Sequence, residues 1–217
     1  PPLAFGQGGR LAGIEVDLAS QLAPALGREV RFVELPFEQL ITALLANRID
    51  IIMSGMTVTA PRQFRIAFGD PYLKSGLAAL MRRTDATRYD TAAKVLSTSA
   101  QVGVVTGTTG EKFVHERMQS ATVAVYPTAA AAVTELGQNR IDLFVNDLPV
   151  VGWFVSENEA ELAMLRTPLT EDALAWGFRP DDDALRGAVN AVLTRWKADG
   201  TLRQILQRWL RIWPNPL

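Results

Sequence analysis

Two hydrophobic periods alternate along this chain, and their alternation lays out its elements. Ile14, Val16, Leu18, Ala19, Leu22 and Leu26 recur at helical spacing, with Asp17 in the first turn and Gly27 as a stop. A helix is predicted from Ile14, its last turn kinked or shortened by Pro24. Before it, Pro1 to Gly13 is turn-rich and reads as a loop. Val30 to Leu35 alternates at the shorter period, with β-branched Val30 and Val33 around Phe32, and predicts a strand. Phe37 to Ala46 places Leu40, Ile41, Leu44 and Leu45 on one helical face, and Arg48 to Met53 reads as a buried parallel strand. Strands are then predicted at Gly76 to Arg83, Gln101 to Val105, Thr122 to Tyr126, Leu143 to Val145 and Leu162 to Leu165. Helices are predicted at Glu111 to Met118, Ala129 to Leu136, Pro149 to Glu157, Asp183 to Lys197 and Leu202 to Arg211.

One pattern occurs twice. Asn47-Arg48-Ile49-Asp50-Ile51-Ile52 returns as Asn139-Arg140-Ile141-Asp142-Leu143-Phe144, each time after an amphipathic helix and before polar residues at a strand end. The first copy delivers Ser54 and Gly55, the second Asn146 and Asp147. Two similar α/β units are implied: residues 1–80 with 173–217 form one lobe, 81–172 the other, and Ala173 to Arg179 crosses back.

Composition narrows the chemistry. With 217 residues, 48% hydrophobic and 21% charged, the chain can bury one substantial core or two modest ones. A net charge of −1 with scattered basic residues leaves no stripe for a phosphate backbone, so nucleic acid is excluded as a partner. Cysteine is absent and His115 is the single histidine, which removes disulfides, thiolate nucleophiles and histidine metal sites, and no cofactor is expected. No run approaches the ~18 consecutive apolar residues of a membrane span. The chain opens on Pro1 without a signal peptide, so any targeting segment is expected outside it.

The candidate ligand chemistry gathers at two places. In Ile51 to Tyr72, an apolar run leads to Ser54, Gly55, Thr57 and Thr59, followed by Pro61 and Arg62. Small hydroxyls and a glycine let a ligand approach the main chain, and a guanidinium offers the planar fork that fits a carboxylate. The second place is Gly107-Thr108-Thr109-Gly110, a turn between a strand and a helix N-terminus, where free N–H groups and the helix dipole favour an anion. The Gly-Lys-Ser/Thr ending of a nucleotide loop is missing, so a carboxylate is favoured over a triphosphate.

These stretches together resemble the bacterial extracellular solute-binding proteins of family 3, the periplasmic amino-acid-binding proteins of ABC importers. The resemblance is carried by Gly13-Ile14-Glu15-Val16-Asp17-Leu18, Thr57-Val58-Thr59-Ala60-Pro61-Arg62, Phe68-Gly69-Asp70-Pro71-Tyr72, Val102 to Glu111, Asp142 with Asp147, and Lys197-Ala198-Asp199-Gly200-Thr201-Leu202. It implies a two-lobed, type II periplasmic-binding-protein fold, two α/β lobes joined by two crossing strands, with an amino acid held in the cleft as the lobes close. Carried over by motif, Arg62 pairs with the ligand's α-carboxylate, helped by Thr57 and by the N–H groups of Thr108 and Thr109. Asp147, with Ser54 and Gly55, receives the α-ammonium. Phe37 covers the ligand side chain, and Met56 and Thr106 line the pocket. The partners implied are a free amino acid and the membrane permease of an importer, the receptor being a monomer in the periplasm or outside the cell, with a tether possible through a segment not in this sequence.

Family members begin with a strand ahead of the segment that Pro1-Pro2-Leu3 resembles, and without it neighbouring strands of the first lobe are expected to lack partners. Two alternative functions share the scaffold. A cyclohexadienyl-type dehydratase would need an acid/base group at the leaving group, for which Asp147 and Glu111 are the candidates; a sensor domain of a larger signalling or lytic protein would bind without turnover. The absence of a compelling acid/base pair favours a non-catalytic receptor.

Overall fold

A computed structural model describes residues 1–211. In chain order its first elements are β1 (Phe5–Gln7), β2 (Arg10–Ala12), α1 (Ile14–Ala25), α2 (Leu40–Leu45), α3 (Ala60–Gln63), β3 (Ala67–Phe68), β4 (Leu73–Ser75) and β5 (Leu77–Arg82). The middle of the chain forms α4 (Ala92–Leu96), β6 (Gln101–Val105), α5 (Thr109–Arg117), β7 (Thr122–Tyr126), α6 (Ala129–Gly137), β8 (Leu143–Asp147), α7 (Leu148–Glu157) and β9 (Leu162–Met164). The last part contributes β10 (Asp172–Leu174), β11 (Gly177–Phe178), α8 (Asp183–Asp199) and α9 (Thr201–Trp209). Two compact units result: Pro1–Lys74 with Asp172 onward, and Ser75–Glu171. The segment Gly76 to Arg83, read as a strand, forms β5 inside the second unit.

In the first unit, the expected N-terminal loop is a β-hairpin instead. Gly8 and Gly9 take φ of 57° and 77°, the left-handed pair that a two-residue connection between twisted strands requires, and β1 pairs antiparallel with β2. The first amides of α1 are accepted by the carbonyls of Pro2 and Leu3 at 2.9 Å each, which satisfies a helix start that has no side-chain cap. Two predicted strands do not form. Val30 to Leu35 is irregular: among the described residues, no backbone hydrogen bond involves residues 29–35, and Val30, Phe32 and Val33 stand about 40% exposed. Of Arg48 to Met53, only Ile52 is paired, and antiparallel, exchanging bonds of 2.9 and 3.1 Å with Gly177. Strand propensity yields a strand only where a neighbour offers its own N–H and C=O groups. Beyond the hairpin and Ile52, pairing in this unit consists of short pieces: β3 with β11, β4 with β10, and Thr57 bridged to Leu174. Its core is made by helices, as Ile14, Leu18 and Leu22 of α1 meet Trp176, Phe178, Val189, Leu193, Leu202 and Leu206.

The second unit is built on a five-stranded sheet in the order β7-β6-β8-β5-β9. β6 runs parallel to β7 and β8, while β5 is antiparallel to β8 and β9. Its central strands are almost wholly apolar because both faces are covered, and Val102, Val104, Leu143, Phe144 and Val145 are fully buried. The parallel strands β6 and β8 therefore bring their carboxyl ends, with the turns that leave them, to one edge of the sheet.

The repeated hexapeptide acquires a structural meaning here. Asn47 and Asn139 both take left-handed backbone, φ 57° and 58°, just past a helix. In each copy the asparagine amide bonds three residues back (to Leu44 or Leu136) and the next arginine amide five back (to Ala43 or Glu135), which is the Schellman ending. A remote arginine then grips the same two residues beyond. Arg179 donates to the Ile49 carbonyl (2.8 Å) and the Asp50 carboxylate (3.2 Å); Arg82 donates to the Ile141 carbonyl (2.6 Å) and the Asp142 carboxylate (3.1 Å). Asp50 and Asp142 are thus structural residues.

Candidate ligand-binding site

The first-unit residues singled out from the sequence lie around one loop. Ile52 is pinned to Gly177, Val58 donates to the Ala173 carbonyl at 2.9 Å, and between them the backbone turns through Gly55 at φ 63°. The positive φ at Gly55 favours glycine, and a methyl group there would meet Leu3 Cδ1 at 2.3 Å, so that the Leu3 side chain would have to move. Thr57 is buried, and Ser54 is half-buried on the approach to the turn. Met56, expected to line the pocket, instead sends its side chain into the core among Leu40, Leu44, Ile52 and Ile66, and its carbonyl accepts from the Ala175 amide.

Arg62 is held in place by this loop. Thr59 caps α3, its hydroxyl accepting from the Arg62 amide at 3.4 Å, with Pro61 in the first turn where its missing N–H costs nothing. The guanidinium donates through Nη1 to the Thr57 carbonyl at 2.9 Å and lies 5.3 Å from the centre of the Phe37 ring. A cation over an aromatic face with one donor fixed has a defined fork direction. Phe37, Thr57 and Arg62 therefore form one group.

Sequence reasoning missed the support beneath the loop. The Glu15 carboxylate is fully buried and accepts three bonds: from the Gly55 amide (2.6 Å) and the Tyr72 hydroxyl (2.5 Å) at Oε1, and from Trp176 Nε1 (2.9 Å) at Oε2. Burial pushes its carboxyl above the usual carboxylate range, outweighing the three donors, which pull it down. The signal was available, since Glu15 stands with Leu18 and Leu22 at positions i, i+3 and i+7 on the buried stripe of α1.

In the second unit, β6 is followed by Thr106, whose amide bonds the Tyr126 carbonyl at 3.0 Å, and the chain turns at Gly107, φ 72°. Thr108 caps α5: its hydroxyl donates to the Val105 carbonyl (2.7 Å) and accepts from the Glu111 amide (3.3 Å). Glu111 folds back so that its carboxylate accepts from the Gly107 amide at 2.7 Å, and Thr109, half-buried, begins the helix. Gly110 lets α5 lie against β8, where a methyl group would stand 2.8 Å from the Val145 carbonyl. Asp147 ends β8 and precedes α7 without capping it by its side chain; it is 8% exposed, and its amide bonds the Asn146 side chain at 2.8 Å. The Thr106 to Thr109 turn and Asp147 thus share the edge of the second-unit sheet at the carboxyl ends of β6 and β8. Among the described residues, no cluster of acidic, histidine or cysteine side chains could hold a metal ion, and no helix is long and apolar enough to cross a membrane.

The sequence profile of the bacterial extracellular solute-binding proteins, family 3, matches residues 1–212. The chain belongs to this family. Among its relatives, the L-cystine-binding protein TcyJ of Escherichia coli (strain K12) is 28% identical over 210 residues, covering 96% of this chain and 78% of that protein. A cyclohexadienyl dehydratase of Pseudomonas aeruginosa is 27% identical over 209 residues, covering 95% and 78%. Among solved structures, the ancestral amino-acid-binding protein AncCDT-1, described as a precursor of cyclohexadienyl dehydratase, superimposes with a TM-score of 0.89 at 30% identity over 96% of this chain and 90% of that one. The fold class is that of these family-3 proteins, the two-lobed type II periplasmic-binding-protein fold.

Proposed function

We propose that this solute-binding protein is a receptor for a free amino acid, presented to the permease of an ABC importer outside the cytoplasm. The observation that carries the reading is the oriented guanidinium of Arg62, fixed by Thr57 and Phe37 above a loop of small polar residues. A carboxylate meeting that fork gains paired charge-assisted bonds without the cost of ordering the arginine. In this reading Arg62 and the Thr57 hydroxyl take the α-carboxylate with the amides at Thr108 and Thr109, and Asp147, Ser54 and Gly55 serve the α-ammonium. Phe37 and Thr106 border the ligand side chain. The place of Asp147 at the carboxyl end of β8 supports its assignment, since open α/β sheets bind their ligands at that end of the strands.

Isothermal titration with the standard amino acids tests this. Arg62→Ala is expected to weaken binding by about 2–5 kcal/mol, the cost of stripping one partner from a desolvated charge pair, and unchanged affinity refutes the carboxylate clamp. An enzyme on the same scaffold is the competing reading, supported by the dehydratase relative. Against it, the Glu111 carboxylate already serves the Gly107 amide of its own turn. Release of product from a cyclohexadienyl carboxylic acid by the purified chain would overturn the receptor reading.

A further inference from the structure

Glu15 lies outside the set of residues assigned to the ligand, yet among the described residues it is the most completely buried carboxylate of its unit and the one on which three donors converge. A carboxylate taken out of water loses several kcal/mol of hydration, roughly, and is tolerated only where its oxygens are satisfied. An apolar residue at this position of the α1 stripe would serve packing alone. What the carboxylate adds is a fixed point for three separate stretches of chain.

Each donor comes from a different stretch. Gly55 belongs to the loop, Tyr72 to the segment just before the chain leaves this unit at Lys74, and Trp176 to the segment just after it re-enters at Asp172. Tyr72 and Trp176 are stacked, with ring centres 5.2 Å apart and planes 22° from parallel, so two of the three donors form one rigid support. Glu15 itself is anchored from behind, its amide bonded to the Leu3 carbonyl, in the first turn of α1 where the helix dipole favours negative charge. The Leu3 side chain closes on Gly55 from another side. Two residues beyond Gly55 is Thr57, whose carbonyl sets the direction of Arg62.

We infer that Glu15 is a positioning residue for ligand recognition: through the Gly55 amide it holds the left-handed turn that places the Thr57 carbonyl, and through that carbonyl the Arg62 fork, in register for a carboxylate. The inference rests on the amino-acid-receptor reading for its ligand, but the mechanical part stands on this unit alone. A support of this kind acts on affinity by pre-organisation, since a loop that must be ordered on binding loses part of the binding free energy to that ordering.

The test has two arms. In the ligand-free protein, amide hydrogen exchange followed by NMR should show the Gly55 amide protected. In Glu15→Leu, which removes both acceptor oxygens and leaves the α1 stripe apolar, its exchange should accelerate at least about tenfold while amides of β6 stay unchanged. Titration with the best-bound amino acid should show an affinity loss of about tenfold in the same variant. Val95→Ala, a core truncation of α4 in the second unit, should lower thermal stability with little change in affinity. Tyr72→Phe removes a single donor and should give a smaller effect of the same sign, which keeps the test open should Glu15→Leu fold poorly. An unchanged Gly55 exchange rate overturns the inference, and so does a loosened Gly55 with undiminished affinity. Should the wild-type chain bind no amino acid, the receptor reading fails, and the exchange arm still decides whether Glu15 holds the turn.

Discussion

The paired arginine grips allow a quantitative comparison within one molecule. Arg82 and Arg179 make the same fork to an isoleucine carbonyl and an aspartate, but their surroundings differ. Arg82 also donates to the Leu136 carbonyl at 3.0 Å and to Asp85 at 2.7 Å, and Asp142 is about one-third exposed. Arg179 adds Asp182 at 3.2 Å, while its Asp50 partner is 79% exposed. Loss of one partner from a well-buried charge cluster costs about 3–5 kcal/mol, and a surface pair about 0–1. Arg82→Ala takes a donor from two carbonyls and two carboxylates, of which the Leu136 carbonyl keeps the Asn139 amide and Asp142 keeps the Gln101 amide, and solvent at Asp142 reduces the charge contribution, so a loss of about 3 kcal/mol is expected. For Arg179→Ala the Asp50 contribution is near nothing, leaving one carbonyl and one partly screened carboxylate, about 1.5 kcal/mol. Urea unfolding followed by far-UV circular dichroism, with hydrogen exchange of the second-unit sheet to localise the Arg82 effect, measures both. Equal losses, or a loss below about 1 kcal/mol for Arg82→Ala, would refute the reasoning that burial of the acceptors decides the size of the effect.

Three further outcomes are expected. Asn47→Ala and Asn139→Ala should each lower stability by about 1 kcal/mol in thermal unfolding, because alanine lacks the short polar side chain whose local hydrogen bonding lets asparagine tolerate left-handed backbone, whereas the glycine substitutions should be close to neutral. Gly110→Ala sets a methyl group against the Val145 carbonyl, and the displacement of α5 should cost about 1–3 kcal/mol and weaken amino-acid binding; unchanged calorimetry would show that the turn tolerates the shift. The raised Glu15 carboxyl means the folded chain holds that proton more tightly than the unfolded one. Its stabilising contribution is therefore full below the unfolded value of about 4.3 and is lost as pH rises through the higher folded value. The stability of wild type relative to Glu15→Gln should fall across this window in urea unfolding, and a difference that grew with pH would reverse the assignment.

A physical division separates the elements that local pattern reveals from those it hides. The longer helices are legible because each carries its apolar stripe within one segment, as Leu40 and Leu44 or Leu202, Ile205 and Leu206 do, whereas α3 and α4, of four and five residues, are too short to show one. The strands of the second unit were legible because their neighbours are present: Thr122 to Tyr126 finds β6 alongside in full register. Val30 to Leu35 has the residues of a strand but no partner, and no local pattern reports that. The Gly8-Gly9 hairpin is hidden in the sequence because adjacent glycines read equally as the breakers of a loop and as the left-handed pair of a tight turn. At the candidate site, Arg62 and the small residues before it stand out by type and spacing. Glu15 acts through Tyr72 and Trp176, which lie 57 and 161 positions away, a distance that periodicity does not span.

The unpaired stretch after α1 has a practical consequence. A protease needs several residues of extended backbone free of internal bonds, and residues 29–35 present that, flanked and interrupted by the exposed Arg28 and Arg31. Brief trypsin treatment should therefore find this segment before the arginines engaged in the grips. The first cut would separate the hairpin and α1 from the rest of the chain while leaving them held by Leu18, Leu22 and the Glu15 network. Retention or release of that fragment would measure, in one gel, how much of the unit's cohesion lies in packing rather than in the chain.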